Sequence, residues 1–179
     1  QFLDRKFGKK PQLRDANIAS LNHGFDFGAN THASASIFRI ETQKPVPGRY
    51  LDINGNKATA YGLIAASEQA GLELFLGSYP ITPATDILHE LAKHKALGVK
   101  TVQAEDEIAG ICTAIGASFA GDLAVTTTSG PGLALKSEAI GLAVMAELPL
   151  VIIDVQRGGP STGLPTKSEQ TDLMQALYG

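Results

Sequence analysis

Three acidic side chains in succession, Glu105, Asp106 and Glu107, stand where a short apolar run gives way to a helical pattern. A carboxylate in the first turn of a helix is favoured by the dipole, so a well-formed helix start is one complete account of them. The other account is chemical: one carboxylate turns inward to bond a ligand nitrogen while the other two face water. Glu107 is the candidate, because it heads a helix whose further inward positions include the small residues Gly110, Ala114 and Gly116. Arg157 follows another apolar run and enters a loop rich in glycine, proline and small hydroxyl residues. Such an arginine suits two-pronged capture of a carboxylate, or else pairs with a local acid at the surface. In Tyr79-Pro80-Ile81-Thr82-Pro83, two prolines restrict the backbone and would hold the Thr82 hydroxyl in one place, or simply stiffen the approach to a helix. In Ser129-Gly130-Pro131-Gly132 the glycines permit close backbone approach and the amides offer an anion cradle, although the same residues make an ordinary strand-to-helix turn. No Walker-type lysine follows, which argues against a nucleoside triphosphate.

Metal chemistry is not expected. His23, His32, His89 and His94 are scattered, and none pairs with Cys112 at metal-ligand spacing. Cys112 lies on a helical stripe with Ile108, Ile111, Ile115 and Phe119, which predicts a packing residue. A lone cysteine cannot form an internal disulfide, in keeping with a reducing, cytoplasmic location. There is neither a bilayer-length apolar run nor a signal-like leader, so no membrane association is expected. Charge divides unevenly: residues 1–50 carry eight Lys and Arg against four Asp and Glu, whereas residues 51–179 carry seven against fourteen. The basic residues are dispersed and match no nucleic-acid motif, so a solvated face is the expectation and nucleic acid is not an expected partner.

With 179 residues and 44% hydrophobic content the chain can build one core plus a flanking segment. Residues 11–27 predict a helix opened by Pro11. Residues 31–50, rich in Thr, Ser and Ala and broken by Pro45, Pro47 and Gly48, read as a linker. Residues 1–50 are therefore expected to be the tail of a preceding domain. Beyond them, helices are predicted over 56–70 and 85–97, over the segment led by Glu107, and from the Ser129 turn through Met145. Strands are predicted at 74–77, 99–104, 123–128 and 149–155. The last is continuously apolar, as in a strand covered on both faces. The alternation predicts an α/β domain with a parallel sheet, over 51–179, whose site lies beyond the carboxyl ends of the strands. The start at Gln1 and the stop at Gly179, directly after a helical pattern, suggest a longer natural protein truncated at its C-terminus.

Four ordered motifs, YPITP at 79–83, QAEDEIAG at 103–110, TTSGPG at 127–132 and DVQRGGPSTGLPTK at 154–167, resemble the alpha subunit of 2-oxoacid:ferredoxin oxidoreductases, most closely the 2-oxoglutarate type. The resemblance implies that residues 51–179 form a thiamine-diphosphate pyrimidine-binding domain and that the preceding segment ends a fused gamma-type domain. It casts Glu107 as the glutamate that bonds the cofactor's aminopyrimidine and so promotes loss of the thiazolium proton. The activated carbon then attacks the 2-oxo group, carbon dioxide leaves, electrons pass singly to iron–sulfur clusters, and coenzyme A takes the acyl group. Ser129, Gly130, Pro131 and Gly132 would line the cofactor pocket. Arg157 would hold the substrate carboxylate with Thr82 beside it, and Lys167 would meet a second carboxylate, as in 2-oxoglutarate. The diphosphate, its magnesium and an iron–sulfur cluster are expected on a partner beta subunit in a hetero-oligomer, with ferredoxin as electron acceptor.

Other readings stay open on sequence grounds. Another thiamine-diphosphate 2-oxoacid decarboxylase subunit would share Glu107 but reduce no ferredoxin, and a non-catalytic assembly subunit would keep the fold without the cofactor. A Rossmann-like nucleotide module ranks last, since no GxGxxG follows the first strand.

Overall fold

A computed structural model describes residues 1–31, 38–41, 46–159, 167 and 172–179. Two compact units divide at Tyr50 and Leu51. The first, Gln1–Tyr50, holds helices α1 (Phe2–Phe7) and α2 (Pro11–Thr31). Neither has a buried residue, and Leu21, Phe25 and Phe27 on α2 are all exposed. Half of the 31–50 linker, residues 32–37 and 42–45, lies outside the described residues.

The second unit, Leu51–Gly179, runs α3 (Gly55–Ala70), β1 (Leu74–Ser78), α4 (Thr85–Leu91), β2 (Lys100–Gln103), α5 (Glu107–Phe119), β3 (Leu123–Thr128), α6 (Gly132–Leu135), α7 (Ser137–Met145), β4 (Val151–Asp154) and α8 (Leu173–Tyr178). Its four strands form one parallel sheet in the order β2-β1-β3-β4, confirming the predicted α/β class. Because β2 and β3 flank β1 on opposite sides, the chain reverses direction across the sheet at β1 and β3. Such a reversal opens a crevice at the strands' carboxyl ends.

Strand alternation divides the core. Leu74 and Leu76 point to the layer of α3 and α4, joining Ala60, Ile64, Ile87, Leu88, Leu91, Val99 and Val125. Phe75 turns to the opposite face, where Ala114 and Ala117 of α5 pack with Ala124. Side-chain caps define two helix starts: Asn54 accepts the Lys57 amide at 2.9 Å and Asp106 accepts that of Ala109 at 2.8 Å. Gly71, at φ 67°, ends α3 in the left-handed conformation.

Several expected elements end elsewhere. The helix expected over 85–97 stops at Leu91, and a 3-10 turn at Lys95–Leu97 follows before Gly98. The helix expected through Met145 is broken at Lys136 into α6 and α7. The strand expected to be covered on both faces, β4, instead lies at the sheet edge among the described residues, with Val151 exposed. Cys112 is also exposed rather than packed, as are Ile108 and Phe119, because α5 turns its small residues and Ile111 to the sheet. Among the described residues no helix is long and apolar enough to cross a membrane.

Two contacts fasten these layers. A Cβ at Gly77 would overlap the Thr113 hydroxyl and lie 2.5 Å from the Gly110 carbonyl, so α5 rests directly on the β1 backbone. On the other face, Glu90 accepts from Lys93 Nζ at 2.6 Å and from the Tyr61 hydroxyl at 3.2 Å, with Lys57 Nζ 3.9 Å away, tying α3 to α4. The bond from Lys93, with Tyr61 and Lys57 adding to it, holds the Glu90 carboxyl down to about 2 against the opposing effect of burial.

Substitution Gly77→Ala should destabilise the full-length protein by about 1–3 kcal/mol through overpacking, read from urea denaturation. Since the Glu90 carboxyl titrates below its ordinary value, its stabilising effect is complete above about pH 4.5 and is lost as pH falls toward 2. Glu90→Gln should therefore lower stability at pH 7 and flatten its decline across that acid window; denaturation curves at a series of pH values check this.

Candidate functional site

The carboxyl ends of β1 and β3 meet where the chain reverses, and their residues form a dense polar cluster. Thr126, Thr127, Thr128 and Ser129 are consecutive and fully buried. Burying four hydroxyls is costly unless each finds a partner, and each does. Thr126 Oγ1 accepts from Lys136 Nζ at 3.1 Å, Thr127 Oγ1 shares a short hydrogen bond with Ser78 Oγ, Thr128 Oγ1 pairs with the Tyr79 hydroxyl at 2.9 Å, and Ser129 donates to the Val155 carbonyl at 2.6 Å. The result joins β1, β3, β4 and the helix that follows β3.

Glu107 occupies the first position of α5, half-buried, one residue after the Asp106 cap. Its Cγ lies 3.3 Å from where a Cβ on Gly132 would stand, and that Cβ would also overlap the Tyr79 and Thr128 hydroxyls. The Ser129–Gly132 turn is thereby brought against Glu107, as the sequence motifs separately suggested. Burial pushes the Tyr79 phenol up and the nearby Glu107 carboxylate adds to the effect, so Tyr79 stays a protonated donor; Thr128 and Arg157 oppose the shift.

The turn does not leave the anion cradle contemplated from its glycines. The Gly132 amide donates to the Ser129 carbonyl at 3.0 Å and that of Leu133 to Gly130 at 3.2 Å, while the Gly130 amide faces the Asp154 carboxyl. The Gly132 and Leu133 amides are spent on closing the turn, and that of Gly130 on Asp154. Gly130 itself, at φ 42°, admits the Arg157 main chain, whose carbonyl would lie 3.1 Å from an added Cβ.

Arg157 is buried and its Nη1 donates to the Thr82 carbonyl at 3.0 Å. Two residues 75 positions apart, which the family resemblance pairs as substrate contacts, are thus joined. Thr82 is itself exposed at the rim, and its turn is closed by Thr85, whose hydroxyl accepts the Ile81 amide at 2.7 Å and donates to the Ile81 carbonyl at 2.9 Å. The prolines therefore share the stiffening of this turn with a side chain. Lys167 is exposed, and its carbonyl accepts the Gly158 amide at 2.7 Å, which places its backbone next to the Arg157 segment. Residues 160–166 of the same loop lie outside the described residues.

Three groups escaped sequence reasoning. The Tyr79 hydroxyl was passed over in favour of Thr82. Asp154 and Asp172 face each other near Gly130, and burial first, then Asp172, raises the Asp154 carboxyl well above the usual range. Lys136 is fully buried, and its Nζ donates to the main-chain carbonyl of Glu107 at 2.8 Å. A lysine inside an otherwise apolar stretch, four residues past Gly132, was the available signal for the last. Among the described residues no group of three or more His, Cys, Asp or Glu is placed to hold a metal ion.

Comparisons with known proteins agree with this geometry. Residues 66–178 match the family described as pyruvate flavodoxin/ferredoxin oxidoreductase, thiamine diphosphate-binding. The chain is 59% identical over 178 residues to the 2-oxoglutarate oxidoreductase subunit KorA of Mycobacterium tuberculosis, covering 99% of this chain and 27% of that protein. It is 48% identical over 128 residues to the 2-oxoglutarate synthase subunit KorA of Methanocaldococcus jannaschii, covering 71% and 34% respectively. A solved structure of 2-oxoglutarate:ferredoxin oxidoreductase from Magnetococcus marinus, with 2-oxoglutarate, coenzyme A and succinyl-CoA bound, superposes with a TM-score of 0.66 at 46% identity, covering 97% of this chain and 30% of that one. The chain thus spans roughly a quarter to a third of the length of these relatives. A parallel sheet with Glu107 at its switch point, together with a family match over most of the second unit, places this chain in the pyruvate flavodoxin/ferredoxin oxidoreductase family, in its thiamine diphosphate-binding domain.

Proposed function

We propose that the chain is the pyrimidine-binding part of the alpha subunit of a 2-oxoglutarate:ferredoxin oxidoreductase. The observation that carries this reading is the placement of Glu107: a half-buried carboxylate at a helix start, backed by Tyr79, Thr128 and Gly132 at the switch point. The donor set fits one ring of thiamine diphosphate. Glu107 offers a single acceptor for a ring nitrogen, and the Ser129, Gly130, Pro131 and Gly132 turn walls the pocket beside it. The Gly132 amide closes the turn on itself and the Gly130 amide faces Asp154, which supports a diphosphate, with its magnesium, held by a partner beta subunit. An iron–sulfur cluster on that partner and ferredoxin as acceptor complete the proposal.

When bound, thiamine diphosphate would supply the carbon nucleophile and electron sink for cleavage beside the 2-oxo group. This chain's residues do the orienting. Glu107 would share a hydrogen bond with a pyrimidine ring nitrogen and so orient the ring. Arg157 and Thr82, already joined through the Thr82 carbonyl, present a cation and a hydroxyl where a 2-oxoacid carboxylate would approach. Lys167, beside the same segment, would meet a distal carboxylate, favouring 2-oxoglutarate over pyruvate. The names of the relatives from Mycobacterium tuberculosis and Methanocaldococcus jannaschii support that substrate. The first unit is proposed as the end of a gamma-type domain fused in front. The Mycobacterium tuberculosis relative aligns across nearly the whole chain, while the Methanocaldococcus jannaschii relative aligns over 128 residues.

Full-length protein assembled with its beta subunit should reduce a viologen dye with 2-oxoglutarate and coenzyme A only when thiamine diphosphate is present, and more slowly with pyruvate or a branched-chain oxoacid. Carbon dioxide release without dye reduction would point instead to a decarboxylase. In that assembly Glu107→Gln should fold normally and lose roughly 10²–10⁴-fold in turnover; near-normal turnover would refute its role. Arg157→Ala should lower kcat/KM for the 2-oxoacid roughly tenfold to a hundredfold, with cofactor affinity retained. Unchanged kinetics would return Arg157 to a purely structural task.

A further inference from the structure

Lys136 is the one fully buried ammonium group among the described residues, and the site chemistry above makes no use of it. It stands at the break between α6 and α7, and its Nζ reaches the Glu107 carbonyl at 2.8 Å and Thr126 Oγ1 at 3.1 Å, 5.1 Å from the Tyr79 ring centre. Both hydrogen-bond acceptors are neutral oxygens, and the first lies at the positive end of the α5 dipole, where a cation is disfavoured. Burial without a bonded carboxylate costs stability. A core position that needed only packing would be served better by an apolar side chain of similar length. What the ammonium gains is proximity to the Glu107 and Asp106 carboxylates on one side and the Tyr79 ring face on the other.

We propose that Lys136 is a positioning residue of the cofactor site: its ammonium clamps the first turn of α5 through the Glu107 carbonyl and supplies the countercharge behind the Glu107 carboxylate. This rests on the reading of Glu107 as the cofactor's partner. The clamp fixes the main chain of the residue whose side chain must meet the ring, and Thr126 and Tyr79 fix the clamp. The titratable groups facing Lys136 are Glu107, Asp106 and Cys112 from α5 and its cap, and Tyr79 from the turn after β1. Burial pulls the ammonium down to about 8, while Glu107, Asp106 and Cys112 pull it back up. The countercharge is therefore complete below pH 8 and is lost as pH rises through that value.

The test uses the full-length alpha subunit assembled with its beta subunit and measures thiamine diphosphate affinity by titration calorimetry from pH 6 to 10, beside kcat and KM for 2-oxoglutarate. Wild type should hold its affinity to about pH 7.5 and lose it through pH 8 to 9. Lys136→Met should keep or raise thermal stability at pH 7, bind the cofactor roughly tenfold to a hundredfold more weakly, and show no alkaline limb. Its KM for 2-oxoglutarate should move less than kcat. Lys136→Arg, charged at every pH tested, should restore much of the affinity and also lack the limb. Wild-type affinity and an unshifted limb in Lys136→Met would overturn the proposal. Should that variant fail to assemble, Lys136→Arg decides: loss of the limb upholds the clamp, and a limb still at pH 8 overturns it. Absence of cofactor binding by the wild-type assembly would defeat the Glu107 reading and this proposal together, an outcome distinct from an effect seen only in a variant.

Discussion

Helix α5 lies on strand β1 in close backbone contact, with only the small Thr113 hydroxyl beside it. Gly77 supplies the strand's half of this contact and Gly110 the helix's, and a methyl on either would meet the opposite backbone. Helix and sheet layers are ordinarily held apart by interdigitating side chains. Here the approach is closer, and Glu107, one turn before Gly110, is carried to the end of β1 beside Tyr79. The fit of Gly132 against Glu107 and the reach of Lys136 to the Glu107 carbonyl both depend on where that contact sets α5.

The buried hydroxyl run of β3 converts this spacing into rigidity. Thr126, Thr127, Thr128 and Ser129 cannot retreat to water, so each holds its partner from another element: a lysine, a serine, a tyrosine and a main-chain carbonyl. In a low-dielectric interior such bonds strengthen, and an unpaired member would be expensive. A site built this way has its dipoles aimed before any ligand arrives, which is the arrangement that makes electrostatic stabilisation effective.

Two halves of the proposed chemistry share this frame. In the proposal one half, around Glu107, would face the cofactor ring, and the other, around Arg157 and Thr82, the substrate. Gly130 separates them, its left-handed backbone letting the Arg157 main chain pass where any side chain would obstruct it. The strand reversal brings both to one crevice, because loops after β1 and β3 depart to opposite faces of the sheet.

Much of this was legible in the residues alone. Alternating apolar runs and helical stripes determined the α/β class, and four motifs in order, each just beyond a strand, determined the family and pointed to Glu107 and Arg157, since such local patterns are properties of neighbours along the chain. Other features belonged to the tertiary structure. The stripe of Ile108, Ile111, Cys112, Ile115 and Phe119 indicated a buried face, yet of these only Ile111 is buried, and α5 packs through it with Gly110, Ala114 and Ala117, because backbone contact at Gly77 selects the smaller face. The apolar β4 reads as covered on both faces, but among the described residues it lies at the edge with Val151 exposed, since hydrophobicity does not record which neighbour a strand receives. Lys136 showed in the sequence only as a lysine in an apolar stretch, and its partners were hidden for the same reason. Its partners lie 29 and 10 residues away, on a helix start and on the neighbouring strand, and only folding brings a lysine and two neutral oxygens within hydrogen-bonding distance in a place that excludes water.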